Sequence, residues 1–253
     1  MFTGARIFSL VLLLSLLQGC ATGFTVFGPL DSSWGSERSG SQQGIHIIGR
    51  VLEPRRGVGP MAFRIPAESY EVQASVLDIS AHEKRSFERN LVKGQPYAKF
   101  IRDVLHEHGV PEDLLYLAYV ESNFNPNALS HQGAAGVWQF TKATARRYGL
   151  KVSGKIDERR DVKKSTYAAA RMLADLYEMF GDWNLVLAAY NSGPGRVSRA
   201  IERGGTRDFF ELAQRDLLPE ETRKFVPRVY AVAMVAGNPS RYGIDAPVLL
   251  AKN

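Results

Sequence analysis

Apolar and polar positions recur with helical spacing through most of the chain after residue 67. Helical spacing or a cap signal is present in eight segments: 68–90, 96–108, 111–121, 141–148, 165–180, 183–190, 195–203 and 219–236. The fifth segment has an apolar stripe at Ala169, Met172, Leu173, Leu176 and Phe180, followed by Gly181 and Asp182. Gly181 suits the end of that helix and Asp182 can cap the next one. Strand-like alternation is scarce, so we expect one mostly helical domain over residues 67–253.

One predicted helix places a carboxylate where an apolar side chain is expected. Pro111 suits the start of this helix. Leu114, Leu117 and Ala118 then fall at i, i+3 and i+4, and Glu121 takes the next place on the same stripe. Burying an unpaired charge is costly, so such a group stays protonated or finds a partner. The alternative is a glutamate that turns out to solvent or pairs with an arginine.

The N-terminus indicates export and lipidation. Residues 1–6 are short and basic, and the apolar run 7–17 would span only about 16 Å as a helix, against about 30 Å for a hydrocarbon core. We therefore predict a signal peptide over residues 1–19. It ends in Leu-Gln-Gly before Cys20, the only cysteine, and this resembles a bacterial lipobox. An ordinary signal peptide with an incidental cysteine is the alternative.

The residues after the cysteine favour a periplasmic lipoprotein with a long reach. Ala21 follows Cys20, and by resemblance to enterobacterial sorting rules this predicts the outer membrane of a Gram-negative bacterium. Residues 20–66 include a Ser/Gly-rich run at 31–44 with few apolar positions, which is the composition of a flexible tether.

The overall charge narrows the class of partners. The chain has 253 residues, a net charge of +6 and a pI of about 9.4, which favours an anionic partner. Its basic residues are spread and lack the interleaved aromatics of a nucleic-acid surface, so we expect no nucleic-acid partner. The five histidines form no metal-ligand pattern, and we expect neither a metal nor a cofactor.

Three further stretches have the chemistry of a sugar site: 128–140, 187–197 and 218–230. Together they supply aromatic rings, amides and hydroxyls, which match the C–H faces and hydroxyls of a sugar. Each stretch is weak evidence alone, because Gly-Pro-Gly is usually only a turn and Tyr190 could be a core residue.

In combination and order, these motifs resemble the family 1 lytic transglycosylases, which carry the soluble-lytic-transglycosylase (SLT) domain. The matching elements are Glu121-Ser122, Ser130, Gly136-Val137-Trp138-Gln139, Ala189-Tyr190-Asn191 and Glu221-Thr222-Arg223. The tryptophan in GVWQF, the run 157–162 and the stretch 180–201 are most similar to the membrane-bound lytic murein transglycosylase D group. The resemblance covers about residues 67–236.

This resemblance implies a mostly α (α+β lysozyme-like) fold of the goose-type lysozyme kind, with or without a small β element. The implied partner is the peptidoglycan glycan strand, cut between N-acetylmuramic acid and N-acetylglucosamine to leave 1,6-anhydro ends. Glu121 would be the single acid and base. Ser130 and Gln139 would hold Glu121 or the neighbouring sugar, and Tyr190 and Asn191 would hydrogen-bond near the cleavage point.

Other residues receive structural or open assignments. We expect the Ser122 hydroxyl to cap local backbone. The acidic run 157–161 is a candidate for a second carboxylate, but we expect it to form a solvated or salt-bridged structural turn. The family usually has tyrosine where this chain has Phe225, so one active-site hydroxyl is in question. We expect no LysM wall-binding module, although many relatives have one. A hydrolytic muramidase and a non-catalytic wall-binding lipoprotein remain the alternative functions.

Overall fold

The computed structural model describes residues 63–250, which are arranged as packed α-helices. The helices are α1 Tyr70–Ala81, α2 Lys84–Glu107, α3 Leu115–Ser122, α4 Lys142–Arg147, α5 Val162–Phe180, α6 Trp183–Ser192, α7 Pro194–Gly204, α8 Phe209–Gln214 and α9 Glu220–Gly237. Short 3-10 turns occupy Glu112–Leu114, Glu158–Arg160 and Pro239–Tyr242.

The described residues contain no strand, only isolated bridges that pair Leu129 with Ala135, Ala135 with Phe140, and Val152 with Asp157. The prediction of a mostly helical domain is confirmed. The small β element that the sequence left open amounts to these bridges. None of the helices in this part of the chain is long and apolar enough to cross a membrane.

The first two helices differ from the predicted segments. The predicted segments 68–90 and 96–108 leave a gap, but α2 runs through this gap and through Pro96, and the break falls earlier, at residues 82–83. A proline inside a helix costs about 3 kcal/mol. Burial of the apolar face of α2, including Phe87, Leu91 and Ile101, offsets this cost. The short helix α8, capped by Asp208, was not predicted at all.

Helix α5 forms as its pattern predicts. All five residues of its stripe are buried, and Gly181 ends it with a φ of 65°. The Asp182 carboxylate then accepts a hydrogen bond from the Leu185 amide at 3.1 Å, which caps α6. Helices α5 and α6 pack against each other. The cap fixes the first residue of α6 and thereby the position of the residues at its other end.

Helix α3 is almost completely enclosed by its neighbours. It packs against α2 and α9, and the side chains from Leu115 to Tyr119 are all buried. Helix α6 packs against α5, α7 and α9. The C-terminal ends of α3 and α6 and the N-terminal end of α9 carry the residues of the candidate site.

Residues on the N-terminal side of α1 also contact the domain. Phe63 stacks on Tyr230 with ring centroids 4.9 Å apart, and Ile65 packs against the core. The predicted signal peptide 1–19, Cys20 and nearly all of the predicted tether 20–66 lie outside the described residues.

Candidate active site

Glu121 lies in the last turn of α3, after the most buried residues of that helix in the chain. Leu117 and Ala118 have no exposed surface, and the Glu121 side chain is itself half-buried. The helix ends at Asn123, whose φ is 53°, and Phe124 follows with a φ of 57°. Two successive non-glycine residues in the left-handed region are unusual and are held by surrounding structure. The end of the helix, and with it Glu121, is therefore tightly positioned.

Two causes raise the pKa of Glu121 to about 8, from an ordinary value of 4.5. Burial is the larger cause, and the negative charge of Glu221 is the second. Most of the Glu121 carboxyl groups consequently carry a proton at neutral pH. A protonated carboxyl can donate, which is what a general acid requires.

Tyr190, at the end of α6, has a phenol that is fixed by a short chain of hydrogen bonds. The hydroxyl donates to the Trp138 carbonyl oxygen at 2.7 Å. The Trp138 indole donates to the Thr166 hydroxyl at 3.0 Å, and that hydroxyl donates to the Val162 carbonyl at 2.7 Å. Burial and the neighbouring Glu121 charge raise the pKa of Tyr190 well above its ordinary value, so the phenol stays neutral.

Asn191 is held between two residues of the Glu221-Thr222-Arg223 motif. The buried Thr222 hydroxyl donates to the Asn191 Oδ1 atom at 2.7 Å. The Asn191 Nδ2 atom donates to Glu221 Oε1 at 3.3 Å. These contacts join the end of α6 to the start of α9. This motif contributed to the family resemblance, but the sequence alone predicted no role for Glu221 or Thr222.

Ser130 and Gln139 make their hydrogen bonds within their own loop. The Ser130 hydroxyl accepts from the Ala134 amide at 3.0 Å, and the Gln139 side chain donates to the Gly136 carbonyl at 2.8 Å. Among residues 63–250, neither side chain hydrogen-bonds to Glu121. Their expected contact with Glu121 or the sugar stays a prediction.

The loop 128–140 is held in place by Arg159, which is only 2% exposed. Its guanidinium donates to the Gly133 and Phe140 carbonyls at 2.6 and 2.9 Å, and it forms an ion pair with Asp157 at 2.7 Å. The loop also approaches this arginine closely, because a Cβ on Gly136 would lie 1.8 Å from the Arg159 carbonyl oxygen. Sequence reasoning missed this anchoring role.

The run 157–161 is a salt-bridged turn, as expected from the sequence. The hydrogen bond from Arg159 holds the pKa of Asp157 below its ordinary value, and Lys164 does the same for Glu158. Carboxylates that are stabilised as anions are poorly suited to donate a proton.

Ser122 also has the structural role expected of it. Its hydroxyl is 3.1 Å from the Ala118 carbonyl and 3.0 Å from the Val137 carbonyl, and it accepts from the Asn125 amide at 3.2 Å. These bonds join the end of α3 to the loop that carries Gln139.

Phe225 lies one helical turn after Glu221 on α9, where its half-buried ring packs against the core. Tyr230, the next tyrosine on α9, is buried and donates to Asn184 Oδ1 at 2.8 Å. Its hydroxyl is therefore committed to Asn184 and does not replace the hydroxyl that Phe225 lacks.

Proteins with similar sequences include transglycosylases. Residues 100–213 match the Transglycosylase SLT domain. The membrane-bound lytic murein transglycosylase D of Escherichia coli K12 is 43% identical over 161 residues, which cover 62% of this chain and 35% of that protein. The peptidoglycan transglycosylase gp16 of phage T7 is 37% identical over 146 residues, which cover 55% of this chain and 11% of gp16.

A solved structure, the 70 kDa soluble lytic transglycosylase SLT70 of Escherichia coli, aligns with a TM-score of 0.49 at 21% identity. That alignment covers 70% of this chain and 34% of SLT70. The chain thus spans about a third of the length of the transglycosylase D that it matches. The match of residues 100–213 to the Transglycosylase SLT domain confirms the resemblance drawn from the sequence.

Proposed function

We propose that this chain is a peptidoglycan lytic transglycosylase, which cleaves the β-1,4 bond between N-acetylmuramic acid and N-acetylglucosamine without water. The observation that carries the proposal is Glu121, whose pKa of about 8 keeps a proton on a half-buried carboxyl at neutral pH. The SLT domain and the 43% identity to a lytic murein transglycosylase support the same activity.

The first step is proton donation by Glu121 to the glycosidic oxygen. The bond from C1 of the muramic acid to that oxygen breaks, and the N-acetylglucosamine leaves with a new hydroxyl. Positive charge develops at C1, and the N-acetyl group of the same sugar stabilises it. Glu121 is left as a carboxylate.

In the second step, Glu121 acts as the base. It takes the proton from the C6 hydroxyl of the muramic acid, and the C6 oxygen forms a bond to C1. The proton returns to Glu121, the product is a 1,6-anhydro sugar, and no water is consumed. The attacking hydroxyl is on the same ring as C1, so its effective concentration is high.

Tyr190 and Asn191 are suited to hold the sugar at the cleavage point. The Tyr190 proton is committed to the Trp138 carbonyl, so its oxygen can accept from a sugar hydroxyl. The Asn191 amide has two hydrogens, of which one is directed to Glu221. The other can donate to a sugar oxygen. Ser130 and Gln139 are proposed as substrate contacts from the adjoining loop.

One observation favours a hydrolytic muramidase as the second candidate. Glu221 is an exposed carboxylate close enough to Glu121 to raise its pKa. A second carboxylate is what hydrolytic glycosidases use to activate water. In this protein Glu221 already accepts a hydrogen bond from Asn191, and we assign it to fixing that amide.

Mass spectrometry of products from purified glycan strands in H₂¹⁸O distinguishes these functions. We expect anhydro-muramic ends that contain no ¹⁸O. Reducing muramic ends that carry ¹⁸O would instead establish the muramidase. Strands that bind but are not cut would establish a non-catalytic wall-binding protein.

We also propose that the protein acts in the periplasm from a lipid anchor on Cys20, with a tether that ends before Phe63, where contacts with the helical domain begin. Cys20→Ala should lose the lipid and leave the outer-membrane fraction. Stable anchoring requires more than one acyl chain, and the proposed anchor depends entirely on Cys20. Ala21→Asp is the matched variant: it should keep the lipid and fractionate with the inner membrane. If Cys20→Ala stays with the outer membrane after a salt wash, the anchor is elsewhere.

A further inference from the structure

A second concave site is lined by arginine side chains. Three arginines of α7, Arg196, Arg199 and Arg203, line one side of it at spacings of three and four residues. Its other side is the chain segment 216–219 that leads into α9. The cavity has a volume of about 300 Å³, at the lower end of the range for small-ligand sites. We call it the arginine pocket.

The positive charge of the arginine pocket is not neutralised within the described residues 63–250. Arg199 and Arg203 are exposed, and no ion pair joins any of the three arginines to an acidic side chain of this part of the chain. Arg196 donates to the Ser192 carbonyl, which is neutral, at 3.2 Å. Asp216, on the rim, forms its ion pair with Arg223. Three guanidinium groups around one cavity favour an anionic ligand.

The chain connectivity places this pocket next to the catalytic site. Helix α7 begins three residues after Asn191, and Pro219 in the pocket wall precedes Glu221 by two residues. Two residues of chain reach at most about 7 Å. The same two segments that hold the Asn191 amide therefore continue directly into the pocket.

We propose that the arginine pocket binds carboxylate groups of the peptide stem carried by the glycan strand. This rests on the proposed function. The stem branches from the muramic acid, the sugar whose C1 is attacked, so it leaves the strand beside the cleavage point. Guanidinium groups bind carboxylates through two parallel hydrogen bonds, which gives both affinity and direction.

Two other anionic partners fit the pocket less well. A nucleic-acid surface would be expected to offer aromatic rings for stacking, but the apolar part of the lining is aliphatic, with Leu217 and Leu218. An anionic lipid surface is flat, whereas the three arginines surround a concavity. Both are tested as outcomes below.

The direct test is a binding titration with a synthetic stem tetrapeptide, using the full chain with Glu121→Gln as the parent. Adding Arg199→Gln and Arg203→Gln should weaken binding at least about tenfold, because both substitutions remove guanidinium groups that would bind the carboxylates. The matched control adds Arg85→Gln and Arg89→Gln, which remove two exposed arginines of α2. The control should bind like the parent.

A kinetic test compares strands with and without peptide stems in the otherwise unchanged enzyme. Arg199→Gln with Arg203→Gln should raise KM for peptide-bearing strands and remove most of their advantage over peptide-free strands. An equal loss on both substrates would overturn the proposal. So would tetrapeptide binding that is identical in parent and pocket variant, or a pocket that binds only phosphatidylglycerol vesicles or single-stranded DNA. Failure of the wild type to cleave either strand would refute the proposed function, while the tetrapeptide titration would still decide the pocket's role.

Discussion

Glu121 should make the stability of this protein fall as the pH rises, and Glu121→Gln should remove that dependence. Between pH 4.5 and about 8, an unfolded chain ionises this carboxyl while the folded protein keeps it protonated. The folded state then binds more protons than the unfolded state, so the free energy of unfolding decreases through this window. Below pH 4.5 the carboxyl is protonated in both states, and well above pH 8 it is ionised in both. The contribution of Glu121 to the free energy of unfolding is therefore constant outside this window.

The size of the effect follows from the two pKa values. One pKa unit corresponds to about 1.4 kcal/mol. The step from 4.5 to about 8 therefore lowers the free energy of unfolding by about 4 kcal/mol between pH 5 and pH 9. This is a large fraction of the about 5–15 kcal/mol that stabilises a typical domain.

The assay is urea unfolding of the wild type, Glu121→Gln and Glu107→Gln at pH 5, 7 and 9. Glu107 is exposed at the end of α2, so its substitution removes a carboxylate without changing the site. The stability of Glu121→Gln relative to the wild type should increase by about 4 kcal/mol from pH 5 to pH 9. The Glu107→Gln and wild-type curves should stay parallel. A Glu121→Gln curve that is also parallel to the wild type would refute the reasoning.

The same variant should be almost inactive on glycan strands. Glutamine keeps the shape of the side chain but cannot donate and recover a proton, and such groups typically contribute about 10²–10⁴-fold to the rate. The wild-type rate should also decline above pH 8, as Glu121 loses its proton. Wild-type turnover in a well-folded Glu121→Gln protein would move the chemistry to another carboxylate, with Glu221 the first to examine.

Three further substitutions test the surroundings of the site. Thr222→Val removes the hydroxyl that orients Asn191 and should lower kcat/KM about tenfold, whereas Thr222→Ser should keep most activity; equal rates for both variants would contradict this. Phe225→Tyr should raise turnover about two- to tenfold at an unchanged melting temperature; a lower melting temperature without a gain in rate would mean that the ring edge is sealed in the core. Gly136→Ala should destabilise the protein in urea by about 3 kcal/mol or more, because its Cβ would lie 1.8 Å from a carbonyl oxygen. Gly133→Ala is its control, because Gly133 has a similar φ but open space around the added Cβ. Equal losses of stability in the two variants would show that backbone strain, and not the close contact, is measured.

The helical pattern was predictable because apolar spacing and caps act locally. The stripe of α5 and the Gly181–Asp182 junction are set by neighbouring residues in the chain, and both form as predicted. Continuation of α2 through Pro96 was not predictable in this way, because it depends on burial against the rest of the domain. The burial of Glu121 was predictable only in part. Its stripe indicated burial, but α3 is enclosed on nearly all sides, which a stripe alone does not imply.

The contacts within the site depend on residues that are distant in the chain. Tyr190 bonds to a carbonyl 52 positions away, and Thr222 bonds to Asn191 across 31 positions. Motif order selected the candidate residues but did not predict which of them are in contact. It also gave no sign that Arg159 would hold the loop carrying Gln139, since a buried arginine in a charged run looks the same in sequence as an exposed one.

The helix ends that meet at the site also place Glu121 near a second carboxylate, Glu221. Glu121 is at the C-terminal end of α3, where burial is the larger cause of its raised pKa. Glu221 is in the first turn of α9, where the dipole is positive and stabilises an anion. The charge that α9 stabilises on Glu221 in turn helps to keep the proton on Glu121. A carboxyl whose pKa is raised by burial and a neighbouring charge is suited to the acid role. Our proposal of Glu121 as proton donor thus rests on its place at the end of a buried helix, and the proposed substrate contact Asn191 is held by the same Glu221 that raises the pKa of Glu121.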